Sequence, residues 1–321
     1  MDEFSLIADI FAPLATMPGA FGLKDDAAAI GPRPGFDLIV TTDAIAEGSD
    51  FFKHDPAGSI AQKALRVNLS DLAAKGAKPE YYLLSIALPE GMTREWLEAF
   101  AGGLALDQKT FDISLLGGDT SRTEGPLAIT ITAFGFAPTG QMLRRSTAQP
   151  GHAVYVTGSI GDSGGGLAIF RREKHSLDEV QRDRLIARYR LPQPPIAFGA
   201  ALGSLASASI DISDGLIADL GHVAKASGVA ITIEAEAIPR SDALRAFWGD
   251  SVEAIVRAAT AGDDYQIAFT ADPEKEAEIL AAATKTSAIV TRIGTVAAGE
   301  GVSLTLGDKE IAVPHPGYRH F

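Results

Sequence analysis

Apolar positions recur along this chain with two periods. Phe4, Ile7, Phe11 and Leu14 follow the spacing of one helical face and predict a helix over 4–15. "DLIVTTDAI" (37–45) starts as a β-branched strand and ends in a polar turn. "DPAGSIAQKALRVNLSDLAAKGA" (55–77) reads as a helix, with Asp55 as its N-cap, Pro56 at its first position and an end near Gly76. "YYLLSIALP" (81–89) is an almost continuous apolar strand closed by proline. Thr93 caps a following helix whose inner face is Trp96, Leu97, Phe100 and Leu104. Strands at 113–119 and 127–136 complete this half.

"APTGQMLRRSTAQPGH" (137–152) is rich in turn formers and marks a boundary. A strand at 153–158, a glycine-rich turn at 159–166 and helices to about residue 206 follow. A short strand "ASIDIS", a helix from Asp214 to Ser227 and the strand "VAITIE" come next. Helices near 251–260 and 273–284 alternate with strands at 265–270, 288–296 and 302–306. The alternation predicts an α/β (α+β) protein of two domains, each a sheet covered by helices. The expected division is 1–137, a linker at 138–152, and 153–321.

Length agrees, because 321 residues exceed what one core usually organises. Asp plus Glu number 41 against 28 Lys plus Arg, a formal charge of −13, which argues against nucleic acid as a partner. Cysteine is absent, excluding disulfides and thiolate chemistry. The acidic start lacks the basic region of a signal peptide, and no apolar run approaches the ~20 residues a bilayer requires. A cytoplasmic protein with no membrane partner is the expectation.

Neither a Walker A loop, G-x-G-x-x-G nor H-E-x-x-H occurs. "TGSIGDSGGG" after a strand suits a phosphate cradle or a tight structural turn equally well. The six histidines are scattered, and His222 reads as structural.

What recurs is aspartate at the ends of apolar segments: Asp25 and Asp26, Asp43, Asp71, Asp119, Asp211 and Asp214, Asp263 and Asp264. Singly, each fits a turn or an N-cap. Together they point to converging carboxylates, which require cations. Mg²⁺ is the hard ion that takes carboxylate oxygens while sharing phosphate oxygens. Hydroxyls at Thr41, Thr42, Ser70, Thr120 and Ser213 offer neutral oxygen donors. Phosphoryl transfer needs mainly positioning and charge neutralisation, so no residue is assigned as a general base.

"KDDAAAI", "TTDAIAEG", "KALRVNLSDLAAKGAKP", "GGDTSR", "RRSTAQPGHAVYVTGSIGDSGGGLAI", "IDISDGLIADLGHVAKASG", "AGDDYQIAFT" and "GYRHF" run in order from about residue 20 to 321. This set resembles the thiamine-monophosphate kinase family, within the superfamily typified by aminoimidazole ribonucleotide synthetase. The resemblance implies transfer of the γ-phosphate of ATP, as co-substrate, to thiamine monophosphate. It also implies mixed sheets in both domains, a homodimer paired through N-terminal ATP- and Mg-binding domains, and a C-terminal domain that completes the active site.

Several Mg²⁺ ions would be held by Asp26, Thr41, Thr42, Asp43, Asp71, Asp119, Asp211 and Asp214. ATP would meet Gly118, Asp119, Arg145 and Ser213, with Arg145 and the metals stabilising the transition state. Asp50, Asp263 and His315 fall on the substrate side, where the family often has histidine, glutamate and a large aromatic. Carboxylates at 50 and 263 suit the cationic thiazolium. Lys24 stands where the family usually has glycine. An aminoimidazole ribonucleotide synthetase-like enzyme and a non-catalytic divalent-cation or nucleotide-binding protein are the alternatives.

Overall fold

The computed structural model describes residues 3–318. The chain forms two compact units. One takes the chain up to Leu72 together with Ala77–Gly140; the other takes Ala73–Gly76 and the chain from Gln141 onward.

The first unit opens with α1 (Glu3–Leu6), which passes into a π turn (Ile7–Phe11) and a 3-10 turn (Ala12–Leu14). The expected single α-helix is therefore broken up. Pro13 has no N–H to give the carbonyl of Asp9, so an α ladder cannot run through it. Then come β1 (Phe36–Ala46), α2 (Ala57–Ala74), β2 (Lys78–Pro89), α3 (Arg94–Phe111), β3 (Ser114–Thr123) and β4 (Ala128–Pro138). The sheet order is β1-β4-β2-β3, with β2 and β3 parallel and the other pairs antiparallel.

Strand alternation sorts the residues of β1. Ile39 and Ile45 are buried on one face, the face that also carries Thr41 and Asp43. Phe36, Leu38 and Val40 occupy the opposite face and are exposed. Helices α2 and α3 cross where Gly58 meets Gly103: a Cβ on Gly103 would lie within van der Waals overlap of the Gly58 carbonyl. Beside this crossing, the fully buried Asp107 of α3 accepts two hydrogen bonds from Arg66 at 2.7 and 2.8 Å and one from Gln62 at 2.7 Å.

The second unit contains β5 (Ala153–Thr157), α4 (Asp162–Phe170), α5 (Glu179–Arg190), α6 (Ile196–Ala201), β6 (Ala208–Asp211), α7 (Leu216–Ser227) and β7 (Val229–Glu234). It continues with α8 (Asp242–Trp248), α9 (Val252–Ala259), β8 (Ile267–Ala271), α10 (Glu276–Thr286), β9 (Val290–Ala298), β10 (Gly301–Leu306) and β11 (Lys309–Ile311). Its sheet is also mixed, ordered β11-β10-β7-β9-β5-β8-β6. Val154 and Val156 of β5, Ile231 and Ile233 of β7 and Leu216, Leu220 and Val223 of α7 share one core.

The glycine-rich segment behaves differently from the expected turn. Gly164, Gly165 and Gly166 lie inside α4, and only 158–161 forms the turn. A Cβ on Gly166 would sit 2.3 Å from the Leu185 carbonyl, so these glycines allow α4 to pack closely on α5. The helix expected from Asp214 starts instead at Leu216, with Gly215 as its N-cap at φ +124°. Arg319–Phe321, the end of "GYRHF", lie outside the described residues.

Candidate active site

In the first unit, α2 and β1 bring candidate ligands together. Asn68 and Asp71 stand three residues apart, on one face of the helix. Buried Asn68 is anchored by donating to the Ala64 carbonyl, and its Oδ1 accepts the Asp43 backbone N–H at 2.9 Å. Asp71 Oδ2 accepts a hydrogen bond of 2.5 Å from Thr41 Oγ1. The carboxyl of Asp43 is pushed up to about 6, first by desolvation, then by Asp71 and then by Asp50. Asp43 nevertheless keeps solvent access, so water partly screens this repulsion. Asp50 turns one carboxylate oxygen to the Ala46 N–H at 2.8 Å, while the nearly fully buried Lys63 donates to the Asp50 carbonyl at 2.7 Å.

A cavity of about 830 Å³ opens in the same unit. Its polar lining includes Asp26, Ser85, Gly118, Asp119 and Thr132; its apolar lining includes Phe11, Leu23, Leu83, Leu115 and Phe134. Thr42 reaches the rim through a 3.1 Å hydroxyl contact with Thr132. Asp25 Oδ1 accepts the Asp26 N–H at 2.8 Å, which makes it a turn former beside the exposed Asp26. Lys24 is exposed.

The strand carrying Gly118 and Asp119 has a bulge: Tyr82 pairs with Leu115 and Leu83 with Gly117, leaving Leu116 over. Leu116 packs into the apolar cluster with Ala15 and Ala20. Beyond the bulge, Asp119 pairs with Ser85. At Gly118 the chains approach so closely that a Cβ would fall 1.8 Å from the Leu84 carbonyl, and only glycine fits there.

In the second unit, buried Asp211 ends β6, and the turn 213–215 leads into α7. A single oxygen of Asp219 accepts the backbone N–H groups of Ser213, Asp214 and Gly215 at 3.0–3.1 Å. Burial, followed by Asp214, raises the Asp219 carboxyl to about 7, against the pull of those three donors. Asp214 is thus freed from capping duty, because Asp219 caps the turn from within the helix. Ligand atoms of Asp214, Asp219 and His222 lie within 4.8 Å of one another.

Arg145 is exposed, and its carbonyl accepts from Ser227 Oγ at 3.0 Å. Asp263 adjoins the turn through its N–H, which donates to the Ser213 carbonyl at 2.8 Å. His315 is exposed on the segment whose Tyr318 N–H donates to the Asp214 carbonyl at 2.9 Å.

The sequence reading missed Asn68, Asp219 and the proximity of His222. Asp219 did leave a signal, as a second acid in the first turn of α7 after "SDG". Nothing in the sequence distinguishes Asn68 from any helical asparagine.

The donor set around Asp43 and Asp71 consists of hard oxygens whose negative charges crowd one another, which fits a divalent cation such as Mg²⁺. A carboxyl raised in the fold keeps its proton to higher pH than in the unfolded chain. Stability from this group is therefore lost as pH climbs from about 4 to about 6. Mg²⁺ is expected to raise the melting temperature more at about pH 8 than at about pH 5, because protons compete for the cluster. Calorimetry with and without Mg²⁺ checks this, and an equal rise at both pH values would contradict it.

Family models for the AIR synthase related protein N-terminal and C-terminal domains match residues 24–137 and 149–307. The chain is 40% identical to the thiamine-monophosphate kinase of Caulobacter vibrioides, across 99% of this chain and 90% of the relative. The crystal structure of thiamine-monophosphate kinase from Stenotrophomonas maltophilia K279a superposes with a TM-score of 0.86 at 38% identity, covering 97% of this chain and 98% of that one. AaThiL complexed with AMPPCP and TMP superposes with a TM-score of 0.80 at 31% identity, covering 99% and 97%.

Proposed function

The chain belongs to the thiamine-monophosphate kinase family, and from that premise we infer that it phosphorylates thiamine monophosphate to thiamine diphosphate at the expense of ATP. A terminal phosphate oxygen of thiamine monophosphate forms a bond to the γ-phosphorus of ATP. The bond from that phosphorus to the bridging oxygen breaks, and ADP leaves. A phosphate monoester is largely ionised near neutral pH, its second pKa being about 6, so the nucleophile needs no general base. This accounts for a site built from acids and hydroxyls.

In the first unit, Asp26, Thr41, Thr42, Asp43, Asp71 and Asp119 would hold Mg²⁺, and the cavity would take the nucleotide, with Gly118 and Asp119 at its phosphates. The mixed apolar and carboxylate lining supports this reading, since a purine and a metal-bound polyphosphate need those two surfaces. In the second unit, Asp211 and Asp214 would hold further Mg²⁺, Arg145 and Ser213 would meet ATP, and Asp263 and His315 would face the thiamine. Asp50 is assigned to the substrate as well. Bound Mg²⁺ would neutralise the phosphate charge and keep the transferring group in line. Asn68 and Asp219 fix the backbone that carries the ligands.

The observation that carries the reading is the Thr41–Asp43–Asp71 group, which β1 and α2 hold together through the Thr41–Asp71 hydrogen bond. The cavity lined by Asp26 and Asp119 lies on the other face of the sheet, where Thr42 meets Thr132. Purified protein supplied with ATP, Mg²⁺ and thiamine monophosphate should form thiamine diphosphate and ADP in equal amounts. Absence of product at saturating substrate overturns it; turnover of a ribonucleotide amide instead would favour the synthetase-like alternative.

A homodimer belongs to the same proposal. Phe36, Leu38 and Val40 are 39%, 44% and 53% exposed on one face of the edge strand β1, a row that a second copy would cover. Sedimentation should give the dimer mass for the natural protein and the monomer mass for Val40→Asp. A natural protein that sediments only as a monomer removes the dimer. Among the described residues, no helix is long and apolar enough to cross a membrane.

A further inference from the structure

We propose that Asp264 is a positioning residue that clamps the 263–265 segment in the conformation that presents Asp263 to the substrate. This rests on the reading above that Asp263 faces thiamine monophosphate.

The segment is unusual in its backbone. Asp263 and Tyr265 have φ of +67° and +49°, and neither is glycine. Side chains at left-handed positions persist only where the surroundings hold them, and such strain gathers at binding sites. Between these two residues, Asp264 points into the interior. It is 3% exposed, its Oδ2 accepts the Gly161 N–H at 2.7 Å, and its Oδ1 has no hydrogen-bond partner among the described residues. The clamp thus ties the strained segment to the turn that starts α4.

Burial pushes this carboxyl well above the usual carboxylate range. In that place the side chain acts through its shape and through the one oxygen that accepts the Gly161 N–H. Asparagine offers the same shape and the same oxygen.

The two neighbours of Asp264 point the other way, toward the turn at 212–214. The Asp263 N–H donates to the Ser213 carbonyl at 2.8 Å, and the Tyr265 N–H to the Ile212 carbonyl at 2.7 Å. The Tyr265 hydroxyl donates to Asp263 Oδ1 at 3.2 Å, which aims that carboxylate. Ser213 and Asp214 have their own clamp in Asp219. Losing Asp264 therefore disturbs Asp263 while leaving the turn assigned to ATP held.

The test compares Asp264→Ala and Asp264→Asn in the full chain. Asp264→Ala is expected to raise KM for thiamine monophosphate about tenfold or more, with KM for ATP moving less than about threefold. Amide exchange at Asp263 and Tyr265 should speed up in the same variant, while exchange at Ser213–Gly215 stays as in the natural protein. Asp264→Asn should restore both readouts. If Asp264→Ala does not fold, Asp264→Ser, too short to reach Gly161 and closer in polarity, reads the same split.

Unchanged KM for thiamine monophosphate in a folded variant overturns the proposal. So do equal losses for both substrates, and failure of asparagine to restore. If the natural protein shows no turnover at all, the kinase reading fails, and the exchange measurement still judges the clamp.

Discussion

Asp71→Asn is expected to lower kcat by about 10³-fold or more while the protein remains folded. Asp71 accepts from Thr41 and is one of two carboxylates that raise Asp43, so it sits at the centre of the charge proposed to bind a cation. The amide keeps the shape and an acceptor for the Thr41 hydroxyl but removes the charge. A loss of this size is about 4 kcal/mol of transition-state stabilisation. The variant also relieves Asp43 of one repelling neighbour, so that carboxyl should titrate closer to its ordinary range. Steady-state kinetics and an NMR titration of Asp43 check the two halves. Natural kcat in a folded Asp71→Asn would remove Asp71 from the metal site.

Asp107→Ala should cost about 3–5 kcal/mol of stability, because it strands the Arg66 guanidinium without its carboxylate in a buried place. Arg66 and Gln62 both belong to α2, the helix that carries Asn68 and Asp71. The pair therefore fixes the helix behind the proposed metal ligands. Denaturant unfolding measures the loss. A change below about 1 kcal/mol, the range of an exposed pair, would show that water reaches Arg66.

The acids were legible because each interrupts an apolar run where a structural residue would serve, and long strands such as β2 and β4 announced themselves by apolar density. Other features depend on contacts between distant segments. The bulge at Leu116 exists because Leu116 turns into a cluster formed by residues 15–30, which no local pattern around "LLGGD" reveals. Helix α8 has seven residues, too few for periodicity to show. It is held by the Ser241 cap and by Arg240 and Arg245 gathered on Asp250.

Asp214 looked like a helix cap because Ser-Asp before an apolar run usually is one. The cap comes instead from Asp219, inside the helix, and that exchange leaves Asp214 available. The glycines of "GDSGGG" suited a phosphate cradle or a tight turn equally well, yet inside α4 they serve close packing on Leu185 and Tyr189. His222 read as structural, yet α7 carries it, exposed, to the side of Asp214 and Asp219.

The claim at the centre of this account is direct transfer of the γ-phosphoryl group of ATP to thiamine monophosphate under control of the carboxylates on α2 and β1. Its most direct measurement follows a radiolabel from the γ-phosphate of ATP with the natural protein and with Asp71→Asn. The account predicts label in thiamine diphosphate, one for each ADP, with the natural protein, and almost none with the variant. Label released only as inorganic phosphate, or transferred equally well by both proteins, would contradict it.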